Sequence, residues 1–174
     1  MADNSLLKDK KILIVDDEPD ILEVLEEYLS DCNLTRATNF DDAKRLLESE
    51  TFNAAILDIM GVNGYKLLEI SQERKVPALM LTAHAFSPDN IVKSMKEGAA
   101  SYVPKDEINR IRDFLNDIFV AMEKGVSPWE SWQKRLPSSY FEMKFGAAWR
   151  AADQDFREAL KASIQARAKA SKKD

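Results

Sequence analysis

Short, mainly apolar runs alternate with segments of helical periodicity up to about residue 124, and this alternation limits the possible folds more than any other feature. Most of the runs are too short for buried helices, and we interpret all five as strands. They are Ile12–Val15, Leu34–Ala37, Ala54–Leu57, Ala78–Leu81 and Ala100–Val103. The first, third and fourth contain no alternating polar residues, which is typical of strands covered on both faces.

The segments between and after these strands carry the start and stop signals of helices. Pro19 stands where a first-turn proline belongs, and Ser87 caps a segment that Gly98 ends. The predicted helices begin at Pro19, span Asp41–Glu50 and Tyr65–Arg74, run from Pro88 to before Gly98, and extend from about Asp106 to Lys124. Five strands that alternate with five helices form βαβ units. The sequence therefore predicts an α/β fold with a doubly wound, five-stranded parallel sheet.

Residues 125–128, Gly-Val-Ser-Pro, interrupt this pattern, and no strand candidate follows them. We therefore divide the chain into an α/β unit, residues 1–124, and a helical extension, residues 125–174. The α/β unit has 15 basic and 24 acidic side chains, whereas the extension has 10 basic and 6 acidic ones. This asymmetry indicates two segments under different constraints, but the positive charge of the extension is weak for a nucleic-acid-binding surface.

The extension is predicted to be entirely helical. A short helix carries Trp129 and Trp132 and ends near Pro137. A longer amphipathic stretch, residues 139–170, follows it and is interrupted or kinked near Gly146.

The composition restricts the class of protein further. With 45% hydrophobic and 32% charged residues, the chain is typical of a folded soluble protein. No apolar run approaches the roughly 18 residues that a membrane span needs, and the N-terminal residues lack the apolar core of a secretory signal. A single cysteine, Cys32, is in keeping with a reducing compartment, so we expect a cytoplasmic location and no membrane partner.

Charged and polar residues stand at the ends of four of the five predicted strands. They are Asp16 and Asp17 after the first strand, Asp58 after the third, Thr82 after the fourth and Lys105 after the fifth. Because sites in an open parallel sheet form beyond the carboxyl ends of the strands, we expect these side chains to lie together.

Carboxylates that lie together repel one another and need a balancing positive charge. Lys105 supplies one positive charge. The remaining negative charge suits a hard divalent cation such as Mg²⁺, which prefers oxygen ligands and often shares its coordination shell with phosphate oxygens. An aspartate in such a site can attack phosphorus and form an aspartyl phosphate. Each residue also has a simpler interpretation, since a lone Asp16 or Asp17 is more often a helix cap and a lone Lys105 a solvated lysine.

These motifs resemble the receiver domain of two-component response regulators, the CheY-like proteins, over about residues 10–124. The matching segments are Ile12–Glu18, Leu57–Met60, Leu81–Ala83 and Tyr102–Lys105. The resemblance implies a flavodoxin-like (βα)5 fold and a phosphoryl group transferred from a sensor histidine kinase or a histidine phosphotransfer protein.

The resemblance also implies a role for each acidic residue. Asp58 is expected to be the phosphoacceptor. Asp17 and Asp58 are expected to bind Mg²⁺ directly, together with the backbone carbonyl of Met60. Asp16 is expected to hold the ion through water.

For the remaining site residues, the resemblance implies contact with the phosphoryl group or a response to it. Thr82 and Lys105 are expected to bind phosphoryl oxygens, and Tyr102 is expected to turn inward on activation. Two departures from the family pattern concern the surrounding loops. The loop before Gly64 is shorter than usual and lacks a proline, and Asp106 stands where the family has a proline.

The implied function is a signalling switch and not a conventional enzyme, because a receiver catalyses only its own phosphorylation and dephosphorylation. We expect the extension to pack on the α/β unit or on a second copy, for dimerisation or partner docking, with Trp149, Phe156 and Leu160 at the contact. A DNA-binding transcriptional regulator with a compact helical module is the alternative. A haloacid-dehalogenase-like phosphatase is disfavoured because that family starts from an Asp-x-Asp motif on its first strand.

Overall fold

The computed structural model describes residues 5–83 and 87–172. The strands are β1 (Lys11–Val15), β2 (Asn33–Ala37), β3 (Ala54–Asp58), β4 (Ala78–Thr82) and β5 (Ser101–Pro104). The helices of the α/β unit are α1 (Pro19–Tyr28), α2 (Phe40–Ser49), α3 (Gly64–Glu73), α4 (Pro88–Lys96) and α5 (Ile111–Lys124). Those of the extension are α6 (Trp129–Arg135), α7 (Ser138–Phe145) and α8 (Ala147–Lys172). None of the helices in these ranges is long and apolar enough to cross a membrane.

The five strands form one parallel sheet in the order β2-β1-β3-β4-β5. This arrangement confirms the predicted α/β fold. The chain runs from β1 outward to β2 and then returns to β3 on the other side of β1, so the strand order reverses between β1 and β3. A reversal of this kind opens a crevice at the carboxyl ends of the two strands.

The helix ends follow local chemistry that is visible in the sequence. The side chain of Ser87 accepts a hydrogen bond from the backbone amide of Asn90 and so caps α4. Asn39 caps α2 in the same way through the amide of Asp42. Gly125 ends α5 with a φ of 68°, a left-handed conformation that glycine adopts without steric cost.

The prediction for the segment after β5 was wrong in one respect. The fifth α-helix begins at Ile111 and not near Asp106, because Lys105–Arg110 forms a 3₁₀ segment. Glu107 lies outside helical geometry, with φ −106° and ψ 20°, and breaks the helix at that point. Lys105 therefore stands on a short, separately shaped segment directly after the sheet.

The extension packs on the α/β unit along β5, the edge strand of the sheet. Two indole N–H groups hydrogen-bond to backbone carbonyls on this side of the unit: Trp129 Nε1 donates to Ala99 O at 3.0 Å, and Trp132 Nε1 donates to Tyr102 O at 2.8 Å. Helix α8 lies on α4, and α6 lies on α5. The buried apolar residues of both parts form one continuous core.

Aromatic side chains fill the interior of the extension. Phe141 stacks on Trp149 with ring centroids 4.4 Å apart, and Trp149 lies 4.9 Å from Phe156. Trp132 joins this cluster 5.8 Å from Phe141. Trp149 and Phe156, which were expected at the contact of the extension, pack on other aromatic rings of the extension, and Trp132 links the cluster to the sheet.

The first residue of α3, Gly64, has to be a glycine because another part of the backbone lies very close to it. A Cβ atom at this position would lie 2.1 Å from the carbonyl oxygen of Asp58 and 2.8 Å from Ile59 Cα. Neither is the end of a flexible side chain, so the backbone that carries Asp58 would have to move.

We expect Gly64→Ala to lower the free energy of unfolding by more than about 2 kcal/mol, since overpacking a rigid site commonly costs about 1–3 kcal/mol. Gly146→Ala shows the effect of backbone conformation without steric overlap. A Cβ there meets nothing within 4 Å, but φ 58° and ψ −128° favour glycine, so we expect a purely conformational loss of about 1–3 kcal/mol. Urea unfolding measures both losses, and a loss below about 1 kcal/mol for Gly64→Ala would contradict the steric explanation.

Candidate functional site

Two buried carboxyl groups stand side by side where the strand order reverses. Asp16 follows β1 and is fully buried, and Asp58 ends β3 with an exposed fraction of 4%. Parallel pairing of Val15 with Leu57 places the two strand ends at the same level. Asp16 Oδ1 also accepts the backbone amide of Glu18 at 2.9 Å, which fixes the direction of the carboxyl group.

Lys105 brings a positive charge to both carboxyl groups. Its Nζ lies 2.9 Å from Asp16 Oδ2 and 3.5 Å from Asp58 Oδ1. Glu18 Oε1 is a third neighbour at 3.4 Å. The structure therefore places the predicted residues Asp16, Asp58 and Lys105 together, as the strand-end argument requires.

Burial controls the protonation of this group. Burial and, second to it, the nearby charge of Asp16 raise the pKa of Asp58 to about 7, although Lys105 opposes the rise. Burial also raises the pKa of Asp16, against the hydrogen bond from Lys105. For Lys105 itself, burial would lower the pKa, but the surrounding carboxylates outweigh it and raise the pKa. The site thus holds more negative charge than one ammonium group neutralises.

The oxygen ligands in this crevice suit a hard divalent cation. One carboxylate oxygen each from Asp16, Asp17 and Glu18 lies within 4.8 Å of the others. The loop after β3 closes on them, since a Cβ on Gly61 would lie 2.5 Å from Asp17 Oδ2. A cleft of about 110 Å³ is lined by Asp17, Glu18, Asp58, Met60, Gly61, Ala83 and Lys105. This set of oxygen donors fits Mg²⁺, which binds through one or two carboxylates and keeps several waters.

Thr82 and Tyr102 lie on β4 and β5, the two strands beyond β3 in the sheet. Thr82 ends β4 with an exposed fraction of 1%, and Tyr102 on β5 is fully buried. Burial raises the pKa of Tyr102, and interactions of the phenol with the backbone of Ser87 and the Thr82 side chain oppose the rise. Tyr102 is therefore already inward in this structure, where the resemblance implies inward movement on activation.

Glu18 is the residue of this site that sequence reasoning missed. It contributes to the group of close carboxylates and is an ion-pair neighbour of Lys105. The signal was present, because Glu18 continues the acidic run of Asp16 and Asp17. Met60, predicted to offer its carbonyl, lies at the rim of the cleft with an exposed fraction of 57%.

Comparisons with known proteins identify the family of the α/β unit. A family model described as the response regulator receiver domain matches residues 12–116. One curated relative is the two-component response regulator ARR18 of Arabidopsis thaliana, which is 32% identical over 74% of this chain and 20% of its own length. Another is the response regulator protein PilR of Pseudomonas aeruginosa, which is 36% identical over 61% of this chain and 25% of its own length. The chain thus spans a quarter or less of the length of these two relatives.

A solved structure shows the same architecture. The crystal structure of a CheY-like response regulator receiver domain protein from Methanospirillum hungatei JF-1 matches with 30% sequence identity and a TM-score of 0.54. The match covers 63% of this chain and 95% of that one. The similarity therefore concerns the α/β unit.

The raised pKa of Asp58 predicts a pH-dependent cost to stability. Since its pKa in the folded chain, about 7, exceeds the unfolded value of about 3.9, the folded state holds the proton more tightly. We expect Asp58→Asn to raise the free energy of unfolding above pH 7, without divalent cations, by about 1–4 kcal/mol. This gain should shrink as the pH falls from 7 to 4.

Urea unfolding at several pH values measures this gain. Asp41→Asn, an exposed residue on α2, is the control and should change the free energy of unfolding by less than about 0.5 kcal/mol. A gain for Asp58→Asn that stays constant between pH 8 and pH 4 would show that burial of the charge is not its cause.

Proposed function

This chain belongs to the response regulator receiver family, and on that premise we propose that it is a phosphorylation-dependent switch that accepts a phosphoryl group on Asp58. The observation that carries the proposal is the buried carboxyl group of Asp58, 3.5 Å from Lys105 and open to a cleft lined by oxygen ligands. A carboxylate in this position can act as a nucleophile toward phosphorus. The donor is a phosphohistidine of a sensor histidine kinase or a histidine phosphotransfer protein.

The transfer needs Asp58 in its charged form. A carboxylate oxygen of Asp58 forms a bond to phosphorus while the bond from phosphorus to the donor nitrogen breaks, and the electron pair of that bond stays on the imidazole. Negative charge on the phosphoryl oxygens then adds to that of Asp16 and Asp17. Lys105 balances part of this charge, since its ammonium group already lies within 3.5 Å of Asp58.

Mg²⁺ is the proposed cofactor. Asp17 and Asp58, with the backbone carbonyl of Met60, would bind it directly, and Asp16 would do so through water. When bound, the ion would neutralise charge on the phosphoryl oxygens and favour the deprotonated form of Asp58. Glu18, as a further carboxylate of the close group, would add to the attraction for the ion.

Thr82 and Tyr102 would respond to the phosphoryl group. A single hydroxyl can donate one hydrogen bond and accept another, so Thr82 can donate to a phosphoryl oxygen and still accept from the phenol of Tyr102. Phosphorylation would therefore favour the inward position of Tyr102. We propose that this local change is the signal, and that the chain catalyses nothing beyond its own phosphorylation and dephosphorylation.

The two named relatives are much longer than this chain, so the response that phosphorylation triggers in the whole protein does not follow from the receiver fold. Self-association and binding to duplex DNA are two separate predictions. DNA binding would appear as a duplex affinity that falls steeply with salt concentration.

Incubation with acetyl phosphate and Mg²⁺ tests the proposed function directly. Intact mass spectrometry should show one added phosphoryl group on the wild type, none on Asp58→Asn, and none on the wild type when EDTA removes the metal ion. Asp41→Asn, the control, should react like the wild type. An equal gain of mass on Asp58→Asn would place the phosphoryl group elsewhere and refute the assignment.

A further inference from the structure

Two tryptophans of the extension donate hydrogen bonds to backbone carbonyls at the edge of the sheet that no further strand of the described chain covers. Because β5 is an edge strand, its outer carbonyls have no neighbouring strand to pair with. Trp129 bonds to the carbonyl of Ala99, before the strand begins, whereas Trp132 bonds to that of Tyr102 within it. Trp132 thus contacts the residue whose side chain faces the phosphorylation site.

Tyr102 connects the extension to Thr82. Its backbone carbonyl accepts the indole N–H of Trp132 at 2.8 Å, and its buried phenol interacts with the Thr82 side chain. Thr82 follows Leu81, which pairs with Asp58 across the sheet. A continuous path of direct contacts therefore runs from Trp132 to the end of the strand that carries Asp58.

We propose that Trp132 is a positioning residue for phosphoryl transfer to Asp58. Its indole N–H holds the backbone of β5 at Tyr102, and this keeps the phenol inward and the Thr82 hydroxyl oriented for a phosphoryl oxygen. The inference rests on the proposed function and assigns a part of that reaction to the extension, outside the α/β unit.

The extension also holds the segment that carries Lys105. Arg110, at the end of the 3₁₀ segment, donates to the carbonyl of Arg135 at 3.1 Å. Asp106, next to Lys105, accepts Lys144 of α7 at 2.9 Å. The Lys144 pair is on the surface and therefore weak, but both contacts join the same two parts of the chain. The extension is thus attached to β5 at Tyr102 and to the segment that follows β5, beside Lys105.

Positioning of this kind must work in both directions. If the docked extension favours the inward Tyr102, and a phosphoryl group on Asp58 favours the same position, then phosphorylation must stabilise docking by the same factor. We therefore expect phosphorylation to tighten the extension and not to release it.

A set of tryptophan variants tests the role of the indole N–H. All three tryptophans of the chain, Trp129, Trp132 and Trp149, lie in the extension and are buried. Replacement by phenylalanine keeps a six-membered aromatic ring but removes the N–H and part of the ring volume. Trp149 Nε1 has no hydrogen-bond partner within the described part of the chain, so Trp149→Phe removes the same volume without removing a hydrogen bond. Trp129→Phe removes a bond that lies away from the site.

The rate of phosphorylation by acetyl phosphate, measured at several concentrations by intact mass, distinguishes these variants. We expect Trp132→Phe to lower the maximal rate about 3- to 10-fold, the usual effect of one hydrogen bond, with little change in the half-saturating concentration. Trp129→Phe and Trp149→Phe should stay within about 2-fold of the wild type. Equal rates for all three variants would overturn the positioning role.

Hydrogen exchange of the wild type gives a second measurement that needs no variant. Beryllium fluoride with Mg²⁺ serves as a stable phosphoryl analogue, and amides of β5 and α6 should exchange several-fold more slowly in its presence. Unchanged or faster exchange there overturns the inference, and this result decides the matter if Trp132→Phe does not fold. A wild type that accepts no phosphoryl group refutes the proposed function and this inference together, whereas phosphorylation with equal variant rates refutes the inference alone.

Discussion

The charge balance at the carboxyl edge of the sheet is the interaction on which the other features of this structure depend. Asp16 and Asp58 are both buried, and both lie within 3.5 Å of the single ammonium group of Lys105. Two buried carboxyl groups with one cation leave an excess of negative charge, and burial together with the nearby charge of Asp16 raises the pKa of Asp58. In the proposed function, this negative charge favours the binding of a further cation, which would keep Asp58 in the charged form that attacks phosphorus.

This balance makes the position of β5 important, although β5 carries none of the carboxylates. Lys105 follows β5, which β3 and β4 separate from β1 in the sheet, so the side chain has to reach back across the carboxyl edge to Asp16. An edge strand is held on one side only, and its displacement would move the cation. The extension covers the open side and contacts the segment around Lys105 through Arg110. The position of the Lys105 charge therefore depends on how the extension packs against β5.

Local patterns in the sequence were sufficient to predict the sheet and most of the acidic site. The sheet depends on hydrophobic periodicity, and the site depends on which residues end the parallel strands. The apolar run before Asp58 and the cap at Ser87 are examples of such short-range signals. The 3₁₀ segment after Lys105 carries no such signal, since the break at Glu107 has no glycine or proline to mark it. The contact of Trp132 with Tyr102 is also beyond local patterns, because these residues are brought together by the packing of α6 on the edge of the sheet.

The choice of tryptophan at this edge follows from two requirements that few side chains meet together. The surface between β5 and the extension is apolar and buried, so a lysine or arginine donor would lose its hydration there. A carbonyl left without a donor in the same surface would also be costly. An indole supplies a large apolar face and one N–H donor, and Trp132 uses both, with its ring 5.8 Å from Phe141 and its Nε1 bonded to Tyr102. Separation of the extension would expose this cluster and remove the donors from two carbonyls at once, which is why the state of β5 and the docking of the extension are energetically coupled.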